Sequence, residues 1–354
     1  MSLEFHQSMK QIPLFVCGDE NIFFPAVVAL SSIERHNPGV FELYLCVDSS
    51  KVSADQRQLL TTYGIRLFDT RPLLKRVPRI GFRTLRETRW PLDLFVNWVV
   101  PEEFAKMGYR HSIKCDYDVL CVGKYDLDQL LVHGREFLSG LVYRSNLTFC
   151  KVPANVQKQL ETDGRYNPKS REFINAGFVV FDNYQYTEAR LLEEFGSVYR
   201  LLYESNDAIH LLEQTAFGIC LSTRLDRLKP LDASYNRRVL ALLETRDDLT
   251  FDAKNIHYIT RNKPWKPINM KRLSRSVEEG QGALFAYRNM WLRYACGVEG
   301  FERYCDQRPL SDEESLGLMM RIIGLYEQRV DSLVRSEKRL LDKIRNATDA
   351  LSTS

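Results

Sequence analysis

Two aspartates one residue apart, Asp116 and Asp118, stand in the segment HSIKCDYDVLCVG with apolar residues on both sides. Such a segment reads as strand, and residues two apart on a strand point to the same face. Two carboxylates presented together near the carboxyl edge of a sheet can hold a hard divalent cation. That cation neutralises a diphosphate and stabilises it as a leaving group. Taken alone, the pair also reads as two solvent-facing acids in a turn. Its neighbours Ile113, Val119, Leu120 and Val122 strengthen the metal reading, because carboxylates among apolar residues are costly unless paired. His257, in IHYITRNKPWK, is a candidate third ligand, since neutral imidazole is a common metal ligand. Six residues on, Lys263 is held by Pro264 and Trp265 and can meet a phosphate as a point charge. A lone histidine is ordinarily structural; the coupling of His257 to Lys-Pro-Trp singles it out.

The elements that must position these residues alternate in kind. IPLFVC (12–17) is an apolar run, followed by the helical stretch PAVVALSSIERH, which ends at Asn37-Pro38-Gly39, a breaker cluster. FELYLCVD (41–48) reads as a second strand. SADQRQLLTTYG has a cap-like Ser53, helical spacing and a closing Gly64, and IRLFD is a third strand. This β-α-β-α-β order predicts a parallel sheet with right-handed crossovers, a nucleotide-binding α/β layout. No G-x-G-x-x-G follows the first strand, so a dinucleotide-binding fingerprint is absent. The arginine-rich stretch after Arg71 reads as irregular and LDLFVNWVVPEEF as a buried helix. EFLSGLVY, FINAGFVVFD and NIHYIT read as strands, and LLEQTAFGICL as a helix. The pattern beyond Trp265 is helical. It suggests a catalytic domain over 1–265, a helical extension over 266–310 and a long amphipathic helix over 311–354.

In that last segment Ser311 is followed three residues later by Glu314, a capping-box signature. Leu316, Ile323 and Val330 then recur at one heptad position, and Met319, Leu333 and Leu340 at another. This spacing predicts a two-stranded coiled coil and a homo-oligomer formed through 311–354. Met320, Val334 and Leu341 widen the stripe, which leaves a larger bundle, a partner protein or a membrane surface as alternatives.

The totals exclude other classes. The chain has 354 residues, ample for a sizeable core. A net charge of +3 gives no argument for nucleic acid, which needs a clustered basic face. No run of about 18 apolar residues exists, so no transmembrane segment is expected. The opening MSLEFHQSMKQIPLFV does not read as a secretory signal. The eight cysteines form no C-x-x-C pair, and several sit in strand-like runs, so buried thiols in a reducing compartment are expected. The expected location is cytoplasmic, with peripheral contact at the inner membrane face as a variant of it.

Five motifs fall in order over roughly residues 12–266. Cys17-Gly18-Asp19-Glu20-Asn21 follows the first strand. Asp116 and Asp118 come next, then Asn175-Ala176-Gly177 inside FINAGFVVFD, then Glu213-Gln214 at a helix start, and last His257 with Lys263-Pro264-Trp265. With these the chain resembles the family 8 glycosyltransferases, the group containing bacterial lipooligosaccharide galactosyltransferases and glycogenin. The resemblance implies a GT-A fold: a mixed, mostly parallel sheet between helices, here with a helical C-terminal extension. It implies transfer of a sugar, with retention, from a UDP-sugar donor to an acceptor hydroxyl on a glycan, glycolipid or protein. Asp19 and Asn21 would contact uracil and its surroundings. Asp116, Asp118 and His257 would hold Mn2+, or Mg2+ in its place, and Lys263 would face the phosphates. Asn175, Ala176 and Gly177 would lie beside the donor sugar. Gln214, with Glu213 before it, would lie near the far face of the anomeric carbon.

Each motif also has a plain reading: a cap for Asp19, a strand bulge for Asn175-Ala176-Gly177, and a helix surface pair for Glu213-Gln214. The chain departs from the family pattern in three places. Asn97 stands where an arginine before the D-x-D motif reaches the donor, with Arg86 and Arg89 as nearby substitutes. Lys114 precedes the motif in place of an apolar or aromatic residue, and Glu213 replaces an aspartate. Two further classes fit the α/β pattern. One is a nucleotidyltransferase making a nucleotide-sugar, although CGDENIFF is not its glycine-rich basic loop. The other is a non-catalytic scaffold on a decayed transferase fold.

Overall fold

The computed structural model describes residues 11–84, 92–205, 209, 211–239, 252–259, 263–267 and 284–352. The chain divides into two compact units, Met1–Arg237 with Thr250–His257, and Arg238–Leu249 with Tyr258–Ser354.

The first unit opens β1 (Ile12–Cys17), α1 (Phe23–His36), β2 (Phe41–Val47), α2 (Ala54–Thr62) and β3 (Arg66–Asp69). Local chemistry sets these bounds. α1 stops at Asn37, whose side-chain amide donates to the carbonyl of Ile33, and Gly39 takes a left-handed φ of 69° in the turn that follows. α2 starts with a complete capping box between Ser53 and Gln56.

The stretch read as irregular is instead a helix, α3 (Arg71–Ile80). Pro72 lies in the first turn, where no N–H is required, and Pro78 in the last, so neither interrupts the middle. α4 (Asp93–Lys106) and β4 (His111–Cys115) follow, then β5 (Val119–Cys121), α5 (Leu127–Leu130), β6 (Leu138–Arg144), α6 (Ala154–Thr162), β7 (Glu172–Asp182), α7 (Asn183–Glu188), α8 (Leu191–Ser205) and α9 (Leu212–Ser222). Short strands β8 (Leu228–Pro230), β9 (Arg237–Arg238) and β10 (Asn255–His257) complete the set.

The main sheet has the order β3-β2-β1-β4-β7-β6-β8. β2 pairs parallel with β1 and β3, β1 with β4, and β6 with β8, whereas β7 runs antiparallel to both β4 and β6. This is the mixed, mostly parallel sheet of a GT-A fold. The carboxyl ends of β1 and β4 lie side by side, and there the chain leaves the sheet for Asp19 and for Asp116. Crevices outside strand carboxyl ends are where open α/β sheets bind ligands. A second sheet, β5-β10-β9, begins immediately after Asp118.

An aromatic core locks α4 behind that edge. Phe82 stacks on Phe95 at 4.5 Å between centroids, and Trp98 lies 4.0 Å from Phe217 on α9. All eight cysteines carry free thiols, seven of them buried.

The second unit contains α10 (Leu284–Ala295), α11 (Phe301–Tyr304) and the 41-residue α12 (Asp312–Ser352). Ser311 and Glu314 form the expected reciprocal cap. Ile322 of α12 is buried and Leu318 partly so, with Ser315 accepting a hydrogen bond from Asn289 of α10. Leu316, Ile323, Val330, Leu333 and Leu340 point elsewhere and are each 47–60% exposed. Among the described residues no helix is long and apolar enough to cross a membrane.

Candidate active site

The aspartate pair is not carried on a strand. β4 ends at Cys115, and Asp116–Asp118 form a turn in which Val119 N–H donates to Asp116 O at 3.2 Å before β5 begins. The carboxylates converge because the chain reverses there, not because a strand alternates. β5 pairs antiparallel with β10 so that Val119 lies opposite His257. His257 Nε2 comes to 3.2 Å from Asp118 Oδ1 and 3.7 Å from Asp116 Oδ2. One ligand atom from each of the three residues lies within 4.8 Å of the others. Asp118 and His257 are buried, and Asp116 is partly so.

Two oxygens and one nitrogen of this chemistry fit a divalent cation. The histidine supports the fit, because its other nitrogen, Nδ1, is already bonded to Asn236 Oδ1 at 2.8 Å. That second hydrogen bond is the usual companion of a metal-ligating imidazole.

The Asn-Ala-Gly segment stands directly behind this cluster. The β6–β7 register jumps between Gly140 and Leu141, whose partners are Val179 and Asn175, so the motif sits at an irregularity of this strand pair. There Gly177 lies against His257. A Cβ at Gly177 would lie 2.1 Å from His257 Cε1 and 2.4 Å from Nδ1, an impossible contact. Asn175 Oδ1 accepts from Gly177 N–H at 3.0 Å and from Asn236 Nδ2 at 2.9 Å. Ala176 O accepts from Lys114, whose ammonium also pairs with Asp116 Oδ1. Burial alone would lower the Lys114 ammonium, but the charge and hydrogen bond of Asp116 outweigh it and hold Lys114 above its ordinary value.

Glu213 opens α9 after Leu211, which adopts a left-handed φ of 47°. Glu213 Oε1 accepts from Trp98 Nε1 at 2.6 Å. Burial raises the Glu213 carboxyl to about 7 against the opposing charge of Lys114 and the Trp98 bond. Gln214 Oε1 accepts from the Tyr143 hydroxyl at 3.3 Å.

At the carboxyl end of β1, Asp19 caps a short 3-10 turn, Glu20–Ile22. Its two oxygens accept from the backbone and side-chain amides of Asn21, at 3.0 and 3.1 Å. The cap reading of Asp19 is therefore correct. Tyr117, between the two metal-site aspartates, has its phenol held well above the usual range by burial, and then by the charges of Asp118, Asp116 and Asp19. The Asp19 loop and the aspartate turn thus share one electrostatic neighbourhood.

Lys263 belongs to the second unit, where its ammonium donates to Tyr258 O at 2.7 Å. Asn97 is buried, with its amide donating to Leu94 O and its Oδ1 unpartnered. Arg86 and Arg89 lie outside the described residues.

Two participants, Asn236 and Trp98, escaped the sequence reading, and a third, Lys114, stood out only as a departure from the family pattern. Asn236 sits in SYNRR, which carries no spacing signal at all. Trp98 reads only as core. Lys114 had a visible signal, a lysine inside an apolar strand, but one partner, Ala176, lies on another strand and the other, Asp116, in the turn that follows.

Residues 13–269 match the model of Glycosyl transferase family 8, and the chain belongs to that family. It is a glycosyltransferase. Its fold is similar to that of the bifunctional glycosyltransferase WbbM (TM-score 0.57, 16% identity, covering 84% of this chain and 52% of that one). It is likewise similar to the galactosyltransferase LgtC solved with donor and acceptor sugar analogues (TM-score 0.55, 14% identity, 87% and 100% covered). A third similar structure is GlyE of Streptococcus pneumoniae TIGR4 (TM-score 0.51, 18% identity, 83% and 62% covered). The chain spans about half the length of the WbbM protein. No curated protein matches the sequence.

Proposed function

We propose that this glycosyltransferase moves a sugar from a UDP-sugar to an acceptor hydroxyl, with retention of anomeric configuration and dependence on a divalent cation, manganese first and magnesium second. The observation that carries the reading is the convergence of Asp116, Asp118 and His257 at the carboxyl edge of β4. A cation held there supplies positive charge to a departing diphosphate. Asp116 and Asp118 would bind it through oxygen and His257 through Nε2. Lys263 is assigned to the phosphates and Asp19 with Asn21 to the uracil end. Asn175, Ala176 and Gly177 are assigned to the donor-sugar side, and Glu213 and Gln214 to the reacting face.

Gln214 is an amide, a poor nucleophile, which favours attack by the acceptor on the face that UDP leaves. The leaving phosphate would then take the acceptor's proton. Residues 1–265 form the catalytic part in this reading, acting in the cytoplasm or at the inner face of a membrane on a glycan, glycolipid or protein acceptor. The test is hydrolysis of UDP-sugars with and without manganese. Metal-stimulated release of UDP is expected, and release unchanged by chelation would overturn metal dependence.

The exposed heptad positions of α12 carry a second part of the reading, self-association with another copy of this chain. Support comes from the separation of two apolar faces: Leu318 and Ile322 pack within their own unit, while Leu316, Ile323, Val330, Leu333 and Leu340 keep heptad spacing and remain exposed. Light scattering on the full chain should give an oligomer that Leu333→Glu with Leu340→Glu reduces to monomer. A monomeric full chain at micromolar concentration would exclude it.

A further inference from the structure

The hydrogen bonds behind the metal cluster have directions that can be read without seeing a hydrogen. The Gly177 backbone N–H can only donate, so the atom of Asn175 at 3.0 Å from it is the amide oxygen. That oxygen accepts a second time, at 2.9 Å, so the facing atom of Asn236 is its amide nitrogen. The other end of Asn236, 2.8 Å from His257 Nδ1, is therefore its oxygen. An oxygen there requires a proton on Nδ1. The remaining ring nitrogen, Nε2, then faces Asp118 and Asp116.

We infer that the backbone N–H of Gly177 fixes the tautomer of His257 through Asn175 and Asn236, so that Nε2 of the neutral ring always presents its lone pair to the two aspartates. Asn236 and Asn175 are thus positioning residues, acting through His257. The inference rests on the metal-site reading above for its purpose, but the tautomer itself follows from hydrogen-bond direction alone. Burial makes the relay strict. Asn236 is fully buried and His257 nearly so, while Asn175 is half-buried, so water is kept from the Asn236–His257 bond. Gly177 contributes twice, because it supplies the first donor and, lacking a Cβ, leaves room for the ring.

The chain contains six histidines, few enough to resolve by side-chain 15N spectroscopy of the full-length protein, with His257→Gln used only to assign the signal. In the neutral ring of His257 the proton is expected on Nδ1. A neutral ring protonated on Nε2 overturns the inference outright.

Mn2+ binding, followed by the loss of the free-ion electron paramagnetic signal, gives the second readout. Asn236→Leu should release the tautomer and weaken Mn2+ about 10–100-fold, the usual effect of removing a partner of a metal ligand. Asn236→Asp keeps an acceptor for Nδ1–H, so it should retain the tautomer and bind Mn2+ more tightly than the leucine variant. If Asn236→Leu does not fold, the wild-type and aspartate spectra decide the question. Loss of the Nδ1 proton in Asn236→Asp counts against the relay. So does unchanged Mn2+ affinity in a folded Asn236→Leu protein whose binding is abolished by Asp118→Ala. Mn2+ binding that survives Asp118→Ala would instead refute the metal site and leave the tautomer result standing.

Discussion

The proposed metal end and the proposed base end of the site are built in opposite ways. At the proposed metal end the side chains are buried or half-buried, and the histidine is held through residues distant in sequence: His257 by Asn236, and Asn236 by Asn175. At the base end, Asp19 and Asn21 satisfy one another within three residues, and Asn21 is exposed. The first arrangement is rigid before any ligand arrives. Such preorganisation is what stabilising a developing charge requires. The second can exchange a local bond for a bond to ligand at little cost, which suits recognition more than chemistry.

The largest expected effect tests the rigid end directly. Asp118→Ala should lower turnover of a UDP-sugar by about 1,000-fold or more, because a bound cation contributes several kcal/mol to the leaving group. Near-wild-type turnover in manganese would move the metal elsewhere. Gly177→Ala comes next. Its Cβ must displace the His257 ring, so Mn2+ affinity should fall about 10–100-fold and stability by about 1–3 kcal/mol from overpacking. Isothermal titration and thermal melts would show both; an unchanged affinity would mean the ring is not held where the structure has it.

At the adaptable end the effect should be smaller. Asn21→Ala removes about one neutral hydrogen bond, worth roughly 1 kcal/mol. UDP affinity should therefore drop by about fivefold with stability unchanged, read from the UDP-dependent shift in Tm. A loss as large as that of Asp118→Ala would erase the contrast between the two ends.

The last effect is one of pH, read on stability and not on ligand binding. The folded Glu213 carboxyl sits near 7, against 4.5 ordinarily, so folding favours its protonated form. That contribution is complete below about pH 4.5 and is lost as pH rises through about 7. Glu213→Gln keeps the acceptor for Trp98 and has no charge to gain. Its Tm should exceed that of the wild type by a few degrees above pH 7, and the gap should close on acidification. A gap that persists at low pH would assign the gain to packing.

The sequence made the sheet legible wherever apolar runs alternated with capped helices. It also made the site legible where one residue type is diagnostic, as for Asp116, Asp118 and His257. Less could be read where structure depends on position within an element. The arginine-rich stretch after Arg71 reads as irregular, although its two prolines fall in the first and last turns of a helix, α3, and leave the middle intact. Asp116 and Asp118 were paired for the wrong geometric reason, because a two-residue spacing converges in a tight turn as well as on a strand. Asn236 could not be found at all: its partners are 61 and 21 residues away, and nothing local distinguishes it from an ordinary loop asparagine.

The missing Cβ of Gly177 also has a meaning in genetic terms. Every single-nucleotide change in a glycine codon that alters the residue yields alanine, serine, cysteine, valine, aspartate, glutamate, arginine or tryptophan, or stops translation. Each of those eight side chains begins with the atom that the His257 ring excludes. Every one-step change at this position therefore presses on the His257 ring, and replacing the glycine calls for a compensating shift of the histidine.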